Sequence, residues 1–231
     1  MNCPAMIIMH SIKLGDITLT WFGHASFMLE IHGLHTRIYI DPHVLPESVE
    51  EADIVLVTHE HFDHCNVENI KKLRGAGTKV LGPPSVMKKL GFGSPMNIDK
   101  ITNINGIKIT GTDAYNINKF RSPDNPFHPR GLGIGYLIET GGNVIYHAGD
   151  TDNIPEMASL GRVDIALLPI GGTYTMTIQE AAEAAKIIKP ATAIPMHYNS
   201  DKYGISGINA NPEEFAKLIP QIKVQILEPL V

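Results

Sequence analysis

Four potential metal ligands lie within six positions of this chain, in the segment Thr58-His-Glu-His-Phe-Asp-His-Cys65: His59, His61, Asp63 and His64. An apolar run typical of a buried strand precedes them. In an extended turn alternate side chains project to the same side, so His59 and His61 can reach one ion together. Asp63 and His64 follow at the predicted start of a helix and project to a neighbouring position. The alternative, a solvated histidine-rich loop, explains the placement at a strand end less well than a rigid metal site does.

The spacing His59 to His64 matches the HxHxDH signature of the metallo-β-lactamase superfamily, and the chain resembles that superfamily from about Ile17 to Leu227. Four other segments carry the resemblance: Tyr39-Ile-Asp41, Tyr146-His-Ala-Gly-Asp150-Thr151, Pro195-Met-His197-Tyr198 and Trp21-Phe-Gly-His24-Ala-Ser26. The last is similar to a segment common in a branch of predicted metal-dependent hydrolases that includes ascorbate-6-phosphate lactonase-like proteins.

The resemblance implies a site for two divalent metal ions. His59 and His61 would bind the first ion, and Asp63, His64 and His197 the second. Asp150 would bridge both ions, and Asp41 would hold a ligand histidine through its other nitrogen. Imidazole and carboxylate together suit Zn²⁺, with Mn²⁺ or Fe²⁺ as alternatives. Read without the family, Asp41 and Asp150 are also compatible with turn residues, and His197 with an ordinary histidine at a strand end.

The third histidine that the superfamily places on the first metal is missing from its usual position. A strand predicted at 107–110 leads to Asn116, which stands where that histidine is expected. The next histidine is His128, in a loop rich in Asn, Pro and Gly. We predict that His128 reaches back to complete the first site; the alternative leaves that site incomplete.

A dinuclear centre of this kind lowers the pKa of a bound water toward ~7 and delivers hydroxide to a carbon or phosphorus centre. Asp63 and Asp150 are the predicted catalytic carboxylates, and Tyr198 and His24 the predicted proton donors, with Tyr174 as a further candidate. His24 is equally compatible with a buried structural histidine.

Two cations lie near the predicted mouth of the site, Lys119 and Arg121. They could bind an anionic substrate such as a phosphate ester. Loop cations are more often simply solvated. Cys65, directly after the signature, is expected to pack at the start of a helix rather than act as a thiolate.

The elements that must position these residues alternate between strands and helices. Strands are predicted at 17–22, 25–31, 37–40, 53–58, 79–81, 107–110, 136–140, 143–147, 164–168, 192–196 and 224–227. Helices are predicted at 67–74, 84–90, 178–188 and 212–218, the third with a capping box of Thr177 and Glu180. The order suggests two similar halves and hence an α/β fold, a four-layer αββα sandwich of two mixed sheets with helices on both outer faces. We predict one domain over residues 1–231, with 1–12 as a loose extension.

Composition excludes several classes of protein. The chain has 231 residues, 43% of them hydrophobic, with 2 Cys and a net charge of −5. It is too apolar for a disordered protein and too poor in cysteine for a disulfide scaffold. No signal sequence or membrane span is apparent, so a cytoplasmic location is expected. The 11 His are roughly twice an average content.

The sequence therefore predicts a metal-dependent hydrolase that cleaves an ester, lactone or phosphodiester bond of a small, anionic or neutral molecule. The alternatives are a nuclease of the same superfamily acting on RNA or DNA and a non-catalytic metal-binding relative. Net acidity disfavours a nucleic-acid partner. A flavin-linked di-iron relative would carry Glu in place of His61. A homo-oligomer is left open.

Overall fold

The strands and helices of this protein form two seven-stranded sheets, a two-stranded ribbon and four helices in a computed structural model that describes residues 9–231. The first half contains β1 (Ser11–Leu14), β2 (Ile17–Gly23), β3 (Ser26–Ile31), β4 (Thr36–Ile40), β5 (Ala52–Leu56), α1 (Val67–Leu73), β6 (Arg74–Gly82), α2 (Pro84–Leu90) and β7 (Ser94–Pro95). The second half contains β8 (Ile101–Ile104), β9 (Ile107–Ala114), β10 (Phe120–Ser122), β11 (Asn125–Pro126), β12 (Gly133–Thr140), β13 (Asn143–His147), β14 (Ile165–Pro169), α3 (Ile178–Ile188), β15 (Thr192–Met196), α4 (Pro212–Leu218) and β16 (Lys223–Val224).

Each large sheet joins an antiparallel part to a parallel part. The first has the order β1-β2-β3-β4-β5-β6-β7, antiparallel through β4 and parallel from β4 onward. The second has the order β16-β15-β14-β13-β12-β9-β8, parallel from β13 to β16 and antiparallel elsewhere. The parallel strands alternate with helices because a crossover must return the chain to the same end of the sheet.

Strand alternation places the two sheets face to face. Ile38, Ile40 and Ile54 of the first sheet are buried in one apolar cluster with residues of the second sheet and of α3. Tyr39 and Val55, on the opposite face of the same strands, pack in a separate cluster with residues of α1 and α2. A strand buried on both faces reads as a continuous apolar run, which is the pattern seen before the histidine segment. The predicted αββα fold class is confirmed.

The bounds of α2, α3, α4 and β15 agree with the predicted ones. Thr177 Oγ1 accepts the amide of Glu180, and the Glu180 carboxylate accepts the amide of Thr177, which completes the predicted capping box. The predicted extension 1–12 falls partly on residues 1–8, outside the described residues, and β1 begins inside it at Ser11. Along residues 9–231, none of the helices combines the length and the apolar character that crossing a membrane would need.

Candidate metal centre

The predicted site residues come together because most of them closely follow strands of the two packed sheets. Asp41 follows β4, Asp150 lies just beyond β13, and His197 follows β15. The segment from His59 to His64 lies between β5 and α1. The backbone amide of Ile134 donates to the carbonyl of Thr58 (2.9 Å), so the histidine segment is tied to the second sheet as well as the first.

Three imidazole nitrogens converge in the first cluster, which consists of His59, His61 and His128. His61 Nδ1 lies 3.0 Å from His59 Nε2 and 3.2 Å from His128 Nε2. Asp150 Oδ2 lies 3.3 Å from His128 Nε2 and 4.0 Å from His59 Nε2. Thus the structure brings His128 to the two histidines of the signature, as predicted.

The tautomers of this cluster follow from its outer hydrogen bonds. The hydroxyl of Thr58 donates to Asp41 Oδ2 (2.6 Å), so it can only accept from His59 Nδ1, 3.0 Å away. The Asn116 side-chain oxygen accepts from His128 Nδ1 (2.9 Å). Both histidines therefore turn an unprotonated Nε2 inward. Three imidazole nitrogens that converge in this way form a donor set suited to a metal ion.

The second cluster consists of Asp63, His64 and His197, with Asp150 again at its edge. His64 Nε2 lies 3.3 Å from Asp150 Oδ1 and 3.7 Å from Asp63 Oδ2, and His197 Nε2 lies 3.1 Å from Asp150 Oδ2. Within residues 9–231, His64 Nε2, His197 Nε2 and Asp150 Oδ1 are buried and form no hydrogen bond. Buried polar atoms are rarely left without a partner, so this donor set fits a cation that the two clusters would share through Asp150.

The charges of the second cluster favour a cation. Burial alone would lower the pKa of His64, but Asp150, Asp41 and Asp63 raise it well above its usual range. Burial would raise the pKa of Asp150, but His197 and His64 hold it well below its usual value. Carboxylates that would stabilise a proton on His64 stabilise a metal ion in the same way.

Asn116, which stands where the family pattern expects a histidine, supports His128. Its side-chain oxygen accepts both the backbone amide (2.8 Å) and Nδ1 of His128, and its amide donates to Asp152 Oδ1 (3.2 Å) and to the carbonyl of Tyr174 (2.9 Å). The Asp152 carboxylate also accepts the backbone amides of Ile117 and Asn118. Asp152 was not predicted from the sequence, although a second carboxylate two residues after Asp150 was a usable signal.

Three residues at the site have strained backbone conformations. Asp41, His24 and His197 have φ values of +44°, +50° and +57°, in a region that non-glycine residues seldom occupy. Asp41 is buried and accepts hydrogen bonds from the Thr58 amide (2.7 Å) and from His64 Nδ1 (2.7 Å). The contact with His64 is the one that the resemblance implies for Asp41. These hydrogen bonds hold Asp41 in its strained backbone conformation.

His24 is buried beneath the second cluster. Its Nδ1 lies 2.9 Å from Ser200 Oγ, and its Nε2 lies 3.1 Å from Asp63 Oδ2. Burial, and then the neighbouring His197, lower its pKa to about 3. A neutral, fully buried imidazole cannot reach a leaving group, so this position favours a contact that orients Asp63 over the predicted proton donation.

Tyr198 does not reach the site. Its ring stacks on Trp21 at a centroid distance of 5.5 Å and lines a different cavity, with Tyr203 and Glu228. His197 has a positive φ just after the end of β15, and the next side chain, Tyr198, points away from the clusters. The predicted donor role of Tyr198 therefore finds no geometric support. His147 is also turned away, with Nε2 3.1 Å from the carbonyl of Ala25.

A cavity of about 500 Å³ opens over the two clusters. Its polar lining residues include His61, Asp63, His128, Asp150 and Arg121. Its aromatic lining residues are Phe62, Phe127 and Tyr174. Tyr174 is the one of the three candidate proton donors that lines this cavity. Cys65 is buried, and burial raises the pKa of its thiol to about 11, in line with a packing role.

Comparison with known proteins now places the chain in a family. The sequence model described as "Beta-lactamase superfamily domain" matches residues 18–197, most of the chain. The chain belongs to the β-lactamase superfamily. Within the superfamily, a curated metal-dependent hydrolase of the UPF0173 group from Thermococcus onnurineus is 36% identical over 92% of this chain and 97% of its own length. A relative of the same description from Methanosarcina barkeri is 34% identical over 92% and 96%.

Two solved structures of superfamily relatives have the same fold. Igni18, a metallo hydrolase of the archaeon Ignicoccus hospitalis, superposes with a TM-score of 0.74 at 32% identity and covers 92% of this chain and 95% of its own. A hydrolase structure from Parabacteroides distasonis gives a TM-score of 0.81 at 33% identity, over 94% and 98%. The prediction of a metal-dependent hydrolase of this superfamily is confirmed. The similarity to ascorbate-6-phosphate lactonase-like proteins stays a prediction.

Proposed function

We propose that this protein hydrolyses an ester, lactone or phosphodiester bond of a small molecule with the help of two divalent metal ions. The observation that carries the proposal is the meeting of two ligand clusters at Asp150, whose carboxylate lies within 4.0 Å of nitrogens from both, beneath one cavity. A volume of about 500 Å³ suits a small molecule. Zinc fits a donor set dominated by imidazole, with Mn²⁺ and Fe²⁺ as alternatives.

Each cluster would hold one of the two metal ions. His59, His61 and His128 would hold one ion, Asp63, His64 and His197 the other, and Asp150 would contact both. Ions so held would acidify a water molecule and stabilise the charge that develops on the carbonyl or phosphoryl oxygen. Asp63 lines the cavity, and an oxygen of its carboxylate can accept a hydrogen bond from the attacking water and so orient it.

The leaving group needs a proton, and we propose that Tyr174, which lines the cavity, gives it. Its ring packs edge-on against Phe127 at 4.8 Å, and its backbone carbonyl accepts the Asn116 amide. This links the position of the phenol to that of His128. A phenol can donate a proton to a departing alkoxide while both remain in the cavity.

A substrate screen tests the proposal. Zn²⁺-, Mn²⁺- and Fe²⁺-loaded protein would be assayed against aryl esters, lactones, thioesters and phosphodiesters, with Asp150→Asn beside the wild type. We expect turnover in at least one class, and a loss of at least about a hundredfold in Asp150→Asn, because an electrostatic partner of the reacting group is removed. Asp99→Asn, an exposed residue away from the cavity lining, is the control for carboxylate loss. No turnover in any class and any metal form, or full activity of Asp150→Asn, contradicts the proposal.

A further inference from the structure

The cavity over the metal clusters carries a single fixed positive charge. Among its lining residues, Arg121 is the one lysine or arginine. Phe62, Phe127 and Ile205 supply an apolar wall around it, and the side chain of Phe62 is 61% exposed at the mouth. A cation beside exposed aromatic surface, in a cavity that otherwise offers ligand histidines and carboxylates, indicates a ligand with one anionic group and an apolar body.

Lys119, the other cation of this loop, is already committed to the protein. Its Nζ lies 2.7 Å from Glu180 Oε2 and 3.6 Å from Asp152 Oδ1. Burial would raise the pKa of Glu180, but hydrogen bonds from Lys119, the Thr177 amide and Asn118 bring it down to about 2. Lys119 therefore ties the loop to α3 and offers no free charge to a ligand.

Arg121 differs from Lys119 in each of these respects. No carboxylate of residues 9–231 lies within ion-pair distance of it. Its Nη2 lies 3.5 Å from His61 Nε2, and its guanidinium carbon lies 5.2 Å from the centroid of the Phe127 ring. Because His61 Nδ1 faces His59 and His128, the imidazole ring of His61 lies between the guanidinium and the point where the three nitrogens of the first cluster converge.

We propose that Arg121 binds an anionic group of the substrate, a carboxylate or a phosphate, held close to the bond that is hydrolysed. The proposal rests on the proposed function for the position of that bond. A guanidinium presents two parallel N–H donors that match the two oxygens of either anion, so it selects an oxyanion over a neutral group of the same size. Phe62 and Phe127 would cover the apolar part of such a substrate.

Binding of small acids to the Zn²⁺-loaded protein tests this without requiring turnover. Butyrate, succinate and 3-phosphonopropionate share one carboxylate that can contact the metals, and differ at the far end, which is a methyl group, a carboxylate or a phosphonate. Isothermal titration calorimetry would compare wild type, Arg121→Gln, Arg121→Lys and Arg162→Gln. Arg162 is the control for charge loss, because it pairs with Asp164 near β14 and does not line this cavity.

We expect wild type and Arg162→Gln to bind at least one of the two doubly anionic acids about tenfold more tightly than butyrate, the scale of a charge-assisted hydrogen bond. That preference should disappear in Arg121→Gln and fall in part in Arg121→Lys. The acid preferred tells whether a carboxylate or a phosphate is the natural group. Equal binding of all three acids by wild type, or a preference that persists in Arg121→Gln, overturns the proposal.

Turnover of a matched ester pair separates this inference from the proposed function. In 4-nitrophenyl butyrate and the 4-nitrophenyl monoester of succinate, water adds to the carbonyl carbon, the ester C–O bond breaks and 4-nitrophenol leaves with a proton. A wild-type preference for the succinate ester that Arg121→Gln abolishes supports both proposals. Hydrolysis of both esters at rates that Arg121→Gln leaves unchanged contradicts the role of Arg121 alone. Absence of hydrolysis together with Arg121-dependent binding contradicts the ester chemistry alone.

Discussion

At the scale of single residues, three of the five candidate ligand histidines are held by an acceptor on their outer nitrogen. Thr58 accepts from His59, Asp41 accepts from His64 and Asn116 accepts from His128. Each contact orients the ring so that its inner nitrogen points toward the cluster. The chain thus orients the ligands before any metal binds.

The Asn116→Ala variant tests this for the first cluster. Without its acceptor, His128 can rotate or change tautomer, and we expect the affinity for one of the two ions to fall about 10- to 100-fold, the usual cost of losing such a support. Asn118→Ala is the matched control, because Asn118 lies in the same loop as Asn116. Its side chain donates to Glu180 of α3 and does not contact His128. Competition with a coloured chelator measures both. Equal affinities in Asn116→Ala and wild type would show that His128 needs no support.

The residues close together in sequence were the predictable part of the site. The spacing from His59 to His64 and the strand ends before Asp150 and His197 placed those residues in advance. The position of His128 was harder to predict, because it lies twelve residues after Asn116 in a loop. Hydrogen bonds to Asp152 and to Asn116 hold that loop together. Tyr198 and Tyr174 could not be ranked, since only the packed structure shows which phenol faces the cavity.

Acidification should destabilise the metal-free protein through its buried neutral histidines. Burial, despite the nearby Asp150 charge, lowers the pKa of His128 from 6.5 to about 4 in the folded state. Between those values the unfolded chain binds the proton and the folded chain does not. With respect to this group the folded state is therefore most stable above about pH 6.5, and it loses stability as the pH falls toward 4. Each such group costs about 1.4 kcal/mol per pH unit in that window. His64, whose pKa is raised, acts in the opposite direction.

The variant His128→Gln isolates this contribution. Urea unfolding in the presence of a chelator, at several values between pH 4 and 7, should give a slope of unfolding free energy against pH that is smaller by about one proton than in wild type. His32→Gln, at an exposed histidine between β3 and β4, is the control for replacing a histidine elsewhere in the chain. A His128→Gln slope identical to that of wild type would mean that His128 titrates normally.

At the scale of elements, the long helices and central strands were predictable because their signals are local. The capping box and alanine-rich stripe of α3 fixed its bounds. The short strands β7, β8, β10 and β11 were missed, since segments of two to four residues carry too little periodicity to indicate a strand. β6 extends back to Arg74, where Gly75, Ala76 and Gly77 gave no strand signal.

The connection between β14 and α3 has a requirement that only the structure shows. A Cβ added to Gly171 would overlap the carbonyl oxygen of His197 and lie 3.1 Å from the Cβ of Ile208. We expect Gly171→Ala to displace His197, to weaken binding of the second ion, and to lower the free energy of unfolding by about 1–3 kcal/mol.

Gly77→Ala is the control for Gly171→Ala, because a Cβ there meets no atom within 4 Å. We expect its unfolding free energy to stay within about 0.5 kcal/mol of wild type. Chemical denaturation and metal titration of both variants provide the measurement. A Gly171→Ala protein as stable and as metal-rich as Gly77→Ala would show that the loop yields without moving His197.

At the scale of the whole molecule, two half-structures of similar order meet at the site and each contributes to it. The first half supplies Asp41 and the segment from His59 to His64, and the second supplies His128, Asp150 and His197. In each half, strands are followed by alternating strands and helices. That repeated order was enough to predict two packed sheets. The position of the cavity was not predictable, because it depends on how the loop that carries His128 folds over the sheet edge.

The number of metal ions held by the folded chain tests the account most directly. Protein stripped with a chelator, reloaded with Zn²⁺ and freed of excess metal by gel filtration would be analysed by plasma mass spectrometry, together with His128→Ala. We predict close to two ions per chain in wild type and close to one in His128→Ala. A wild-type value of one ion or fewer, or two ions in both proteins, would contradict two clusters joined through Asp150.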